Sequence, residues 1–161
     1  MDLNSDDFEY VKEDNWATVL EIWKQHENND HYHFTFDKEQ HNSWLDWRMG
    51  MIDQLQLSEM SWKKYKILNP STTVPKFYGG PFKDWIERYY DDNFSDKLEV
   101  VAKNHFDEMT SRSFYKEINE HKPQVDILAL GFENRIYVIE GMHRSMTICL
   151  NNLKGLENNF E

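Results

Sequence analysis

Two short apolar runs, Val125–Leu130 and Ile136–Ile139, flank the turn-forming stretch Gly131-Phe132-Glu133-Asn134, and the second run stops at Gly141. Runs of this length bounded by turn residues read as strands, and two joined in this way make a hairpin. Beyond Gly141 the pattern changes to a helix over Met142–Leu153, ended by Gly155, which suits the left-handed position after a helix. A hairpin that passes through one glycine into a helix commits this part of the chain to an α+β arrangement.

The rest of the chain adds helices. Met1–Lys12 is polar and acidic and is expected to fray. Trp16, Val19, Leu20 and Trp23 fall at i, i+3, i+4 and i+7, with Asp14 or Asn15 as cap. Tyr32, Phe34 and Phe36 alternate, which predicts a short strand over His31–Phe36. A second helix is predicted from Asp37 or Ser43 to Leu57, with Trp44, Trp47, Met51 and Leu55 as its stripe. Trp62–Leu68 reads as a strand ended by Asn69-Pro70, and Ser71–Gly80 as a loop. Pro81 suits the first turn of a helix over Phe82–Tyr90. Ser95 is expected to cap one helix carrying Leu98, Val101, Ala102, Phe106 and Met109, and Ser113–His121 a shorter one before Pro123. With 161 residues, one sizeable core is expected. The expected architecture is a small mixed sheet with surrounding helices over residues 61–161. Residues 1–60 form an acidic, mainly helical extension packed on the same core.

Charge is unevenly placed. Residues 1–60 hold 14 Asp/Glu against 4 Lys/Arg, a net of -10, while residues 61–161 hold 15 against 14, a net of -1. An acidic surface repels a phosphate backbone, so nucleic acid is not an expected partner, whereas a small phosphorylated ligand in a local basic pocket is compatible. No apolar run approaches the roughly 20 residues of a membrane span, and no basic-then-apolar start suggests secretion. Cys149 is the single cysteine and has no internal disulfide partner, so a cytoplasmic location is expected.

The junction after the hairpin carries the chemistry. A helix that begins at a strand end exposes backbone N–H groups, and its dipole adds partial positive charge there. Such a position favours an anion, above all a phosphate. Gly141 permits close approach, Arg144 brings a planar two-pronged donor, His143 adds a donor or cation, and Ser145 adds a hydroxyl in the same turn. Glu140 is placed to act as a base or to position Mg2+ or water; its plain structural role would be to brace Arg144.

The loop Ile139-Glu140-Gly141-Met142-His143-Arg144, after a hairpin and before a helix, resembles the signature loop of the ParB/sulfiredoxin superfamily. The resemblance covers Ser113 to Gly155, and it implies phosphate contacts for Gly141, Met142, His143, Arg144 and the Ser145 amide. It implies a nucleotide triphosphate, ATP or CTP, with Mg2+ as ligand. Sulfiredoxins carry a reactive cysteine where this chain has Met142, and a thioether is no thiolate nucleophile, so sulfinic-acid reduction is not expected. The resemblance leaves nucleotide hydrolysis or phosphoryl transfer to a small molecule as the activity, with Glu140 as the catalytic candidate.

Other features have bland explanations beside the functional ones. His26, His31, His33 and His41 lie near Asp30 and Asp37, but their spacing matches no common zinc pattern and suits the solvent face of an amphipathic strand. Trp16, Trp23, Trp44 and Trp47 recur at helical spacing and are expected in the core rather than as a stacking surface. Lys76-Phe77-Tyr78-Gly79-Gly80 is either a tight turn or a flap over a ligand, and Asp91-Asp92 either a solvated face or a Mg2+ site. The alternative to a nucleotide-binding protein is a non-catalytic acidic module, in which residues 1–60 bind a basic protein partner or mimic DNA.

Overall fold

The computed structural model describes residues 6–27, 41–91, 94–122 and 126–158. In chain order the elements are β1 (Phe8–Asp14), α1 (Trp16–Glu27), α2 (Trp44–Gln54), a 3-10 turn over Leu57–Glu59 and β2 (Trp62–Ile67). There follow α3 (Pro70–Thr73), a 3-10 turn over Val74–Lys76, α4 (Lys83–Tyr89), α5 (Leu98–Asn104), α6 (Phe106–Ser111) and α7 (Ser113–His121). The chain continues with β3 (Leu128–Phe132), β4 (Arg135–Glu140) and α8 (Met142–Lys154). The α+β class is as expected. The chain divides into two compact units, Tyr10–Lys66 and Met1–Glu9 with Ile67–Glu161.

In the unit that holds Ile67–Glu161, α8 is the centre of packing. Met142 and every residue from Arg144 to Asn151 are buried. A helix covered on all sides must satisfy its polar side chains internally. Asn151 does so by accepting from the Tyr115 hydroxyl at 2.8 Å and donating to Asn119 Oδ1 at 2.9 Å, while Thr147 Oγ1 donates to the His143 carbonyl at 2.9 Å. Around α8 lie Val74, Leu98, Val101, Met109, Ile118 and Val138, each 0–1% exposed.

The hairpin β3–β4 is antiparallel, with Ala129 opposite Val138 and Phe132 opposite Arg135. Its turn is Glu133-Asn134 alone, both left-handed (φ 47° and 60°), so the strand runs through Gly131 and Phe132 where the sequence suggests a four-residue turn. The sheet is a two-stranded antiparallel pair and not the small mixed sheet expected, because the third segment beside it reaches it at one residue alone. Tyr78 forms a parallel bridge to Tyr137, its N–H donating to the Ile136 carbonyl at 2.7 Å and its carbonyl accepting from Val138 N–H at 2.9 Å. The single helix expected from Ser95 is two helices. Ser95 does not cap it: its hydroxyl donates to the Gly79 carbonyl at 2.6 Å, α5 starts only at Leu98, and the backbone leaves helical geometry at His105 (φ -119°, ψ 26°).

In the Tyr10–Lys66 unit, β1 pairs with β2, and Tyr10 meets Tyr65 edge-on at 5.7 Å between centroids. The expected fraying is therefore corrected for Phe8–Lys12, where a partner strand some fifty residues away supplies hydrogen bonds that local sequence does not reveal, while residues 1–5 of that expectation lie outside the described residues. Caps follow the sequence, with Asn15 Oδ1 accepting from Thr18 N–H at 3.0 Å and Ser43 Oγ from Asp46 N–H at 3.1 Å. The strand expected over His31–Phe36, and with it His31 and His33, lies outside the described residues. Trp16 stacks on Trp62, and Trp23 meets Trp44 edge-on at 5.6 Å. On α2 the buried residues are Trp44, Arg48 and Ile52; of the expected stripe Trp44 is buried as expected, while Trp47, Met51 and Leu55 are half-buried and the buried face is turned by one position toward Arg48 and Ile52.

Arg48 is the cause of that rotation. Its Nε and Nη2 donate to the buried Glu27 carboxylate at 2.8 and 2.5 Å, Trp44 Nε1 adds a third bond at 2.6 Å, and the guanidinium lies 3.6 Å from the centre of the Trp47 ring. Removing one partner of a buried pair strands the other charge. Arg48→Met is expected to destabilise this unit by about 3 kcal/mol in urea denaturation, and Glu27→Leu with Arg48→Met to recover most of that loss; equal destabilisation by the single and double variants would contradict it.

Candidate functional site

The site is built on the junction of β4 and α8. Val138 and Ile139 anchor the strand in the core, Glu140 is its last residue, and Gly141 turns the chain into the helix with φ +90°. A β-carbon at Gly141 would stand 3.1 Å from the Asp126 carbonyl oxygen and 3.3 Å from Arg144 Nη2. Both the left-handed backbone and the close approach require glycine here. The first helical bond, Ser145 N–H to the Gly141 carbonyl, closes at 2.8 Å, and no side chain caps the helix start. The first turn thus presents backbone donors and the positive end of a thirteen-residue helix.

Arg144 is 6% exposed, and its Nη2 donates to both Glu140 oxygens at 2.5 Å. The pair spans the glycine and fixes the angle between strand and helix. Ser145 is fully buried, and its hydroxyl has no hydrogen-bond partner among the described residues. Met142 is buried, with its sulfur 3.5 Å from the Gly80 N–H that donates to it.

His143 is not a cation at neutral pH. Burial pushes its pKa down to about 4, with the charges of Arg112 and Arg144 acting in the same direction and Glu140 opposing them. The ring stacks on Phe114 (4.5 Å between centroids, 17° between planes) and lies 6.0 Å from Trp85. Through this stack the first turn of α7 meets the first turn of α8.

The stretch from Lys76 to Gly80 is structural in most of its parts. Lys76 pairs with Asp7 at 3.4 Å, and Phe77 is buried and stacks on Phe8. Gly79 and Gly80 lie so close to Tyr90 and to the Val138 carbonyl that no β-carbon fits at either. Gly80 therefore runs beside Met142, against the site. Asp91 is exposed, Asp92 lies outside the described residues, and His41 pairs with Asp46 at 3.7 Å. Among the described residues no three His, Cys, Asp or Glu side chains converge to hold a metal ion. No helix among them is long and apolar enough to cross a membrane.

A second group of side chains around the turn is not evident in the sequence. Tyr89 donates its hydroxyl to Glu108 at 3.0 Å and accepts from Arg112, and Arg88 pairs with Glu108 at 2.8 Å. These residues come from α4, from α6 and from the residue before α7. The local signals are the i, i+4 spacings of Trp85 with Tyr89, whose rings lie 5.1 Å apart, and of Glu108 with Arg112.

The depressed His143 pKa sets a pH dependence. The unfolded ring titrates near 6.5 and the folded ring near 4, so the unfolded chain binds the extra proton between these values. This contribution to stability is full above pH 6.5 and is lost as pH falls to 4, amounting to about 3 kcal/mol. The stability difference between wild type and His143→Phe, which keeps a stacking ring, is expected to shift by about that amount between pH 7 and pH 4 in urea titrations; a constant difference would contradict it. No family model matches the chain, and no curated protein or solved structure matches it.

Proposed function

We propose that the Gly141 turn binds the phosphate of a nucleotide, as the resemblance to the ParB/sulfiredoxin superfamily implies. The observation that supports this most directly is the start of α8: no side chain caps it, and its first turn carries free backbone donors at the positive end of the helix, with Arg144 in the same turn. An anion approaching there meets backbone donors, a helix dipole and a guanidinium. Gly141, Met142, His143, Arg144 and Ser145 would line that contact, the backbone N–H groups and Arg144 bearing the charge. Neutral His143 would contribute shape and at most one neutral donor.

Glu140 is assigned the role of holding Arg144 rather than a base. Both of its oxygens accept from the guanidinium, so they do not fit Mg2+ without giving up that pair. Mg2+ that accompanies a nucleotide is assigned to the ligand's own phosphates. The reading is one of nucleotide binding; hydrolysis and phosphoryl transfer would need a further group to orient water or an acceptor.

Calorimetry with ATP, CTP and GTP, each with and without Mg2+, is the test. At least one is expected to bind, and Arg144→Lys, which keeps the charge beside Glu140 but loses the two-pronged donor, is expected to weaken it by about tenfold. Absence of binding by all of them, or equal affinity in the variant, would overturn the proposal.

A further inference from the structure

We infer that the outer edge of β3 is a self-association surface, which pairs antiparallel with β3 of a second copy of this chain about a twofold axis at Leu130. The inference is independent of the phosphate reading of the Gly141 turn, since it draws on the other strand of the hairpin.

The bonds on the far side of the hairpin decide which groups of β3 point outward. Ile136 accepts from Tyr78 through its carbonyl and Val138 donates to Tyr78 through its N–H, so both direct these groups away from β3. In an antiparallel ladder, residues that turn their backbone groups away from the partner strand form the non-hydrogen-bonded pairs. Gly131 stands opposite Ile136 and Ala129 opposite Val138. Gly131 and Ala129 therefore direct their own N–H and C=O groups to the outer edge of β3. Among the described residues no backbone bond reaches β3 from any segment other than β4.

The residues of this edge select the partner. β3 reads Leu-Ala-Leu-Gly-Phe, without a charge or a proline. The other sheet carries Glu9, Lys12 and Glu13 on β1 and Lys63, Lys64 and Lys66 on β2, all exposed. Charged side chains of this kind keep edge strands from pairing with other chains, and β3 has none. With Leu130 on a twofold axis, Ala129 stands opposite Gly131 of the second copy, and their outward groups exchange both bonds of the pair. The same register sets Leu128 opposite Phe132 of the copy. Leu128, Leu130 and Phe132 share one face by alternation, and Phe132 is 62% exposed in the single chain. Pairing lays a leucine against it. No charged residue of the strand meets its own copy. Residues 61–161, which include β3, have a net charge of -1 against -10 for residues 1–60, so a copy is repelled least by this part of the chain. A strongly charged segment from another protein would find no opposite charge on β3.

The test is sedimentation velocity of the full chain. A pairing of short strands buries less than a standard interface, so the wild type is expected to shift reversibly from one chain's mass toward twice that mass with a Kd on the order of 10–100 µM. Gly131→Pro removes an outward N–H and no bond to β4, and Phe132→Lys sets a charge opposite Leu128 of the copy. Each should raise the Kd at least about tenfold with the circular dichroism spectrum unchanged. Val11→Lys, at an exposed apolar position of the charged β1, should leave it within about twofold. Under mild oxidation Leu130→Cys should cross-link as a disulfide dimer, while the wild type, whose Cys149 is buried, should not. A chain that stays monomeric up to about 500 µM would overturn the inference and leave the edge to a strand of another protein. So would a dimer that neither edge variant weakens, one that Val11→Lys weakens equally, or the absence of the Leu130→Cys cross-link. If Gly131→Pro perturbs the hairpin, Phe132→Lys, at a surface position, still decides.

Discussion

The pair between Glu140 and Arg144 connects the last residue of a strand with the third residue of the helix that follows it, across a glycine in a left-handed conformation. Taking both charges out of water is costly, and the cost is met only because the carboxylate takes two contacts at 2.5 Å. What the pair supplies is a fixed exit direction for α8. The remainder of the unit depends on that direction. Tyr115 and Asn119 on α7 bond to Asn151 near the other end of α8, and Leu98, Val101 and Met109 close the space around it. A helix entering at a different angle would leave Asn151, 1% exposed, without its two partners.

Much of this was legible in the chain because it is local. The hairpin, the glycine, α8 and the bounds of α7 follow from spacing and turn chemistry within a few residues. The parts that were not legible are set at a distance. β1 needs β2 before its backbone groups have partners, and Ser95 caps no helix because its hydroxyl donates to the Gly79 carbonyl. Arg48 turns the buried face of α2 because Glu27 waits inside the unit, and periodicity assigns arginine to the surface. The all-round burial of α8 was hidden for a similar reason: Ser145, Thr147 and Asn151 read as polar positions and are interior ones.

The candidate site divides along the same line. Glu140 to Ser145 is one continuous segment and was visible as such, whereas Trp85, Tyr89, Glu108, Arg112 and Phe114 come together only through the packing of three other helices. Their arrangement also changes the part expected of His143. A histidine beside an arginine in a phosphate loop suggests a second cation, but burial, with the neighbouring arginines acting in the same direction, holds the ring neutral. It becomes a planar spacer that sets how far the first turns of α7 and α8 stand apart.

Among the described residues two Arg–Glu pairs are buried, and they differ in what stands beside the guanidinium. Glu27 takes three donors, from Arg48 twice and from Trp44, and the Arg48 guanidinium is covered by the Trp47 ring with Trp23 also near. That pair is saturated and enclosed, and its chemistry is directed entirely inward. Arg144 has the same type of partner, but its Nη2 faces a glycine whose absent side chain would otherwise stand 3.3 Å away, at the start of a helix that no side chain caps. The difference lies in the neighbour and not in the ion pair. An aromatic ring beside a guanidinium encloses the pair from outside, whereas a left-handed glycine beside one lets strand end and helix start approach closely enough for the pair to form across it.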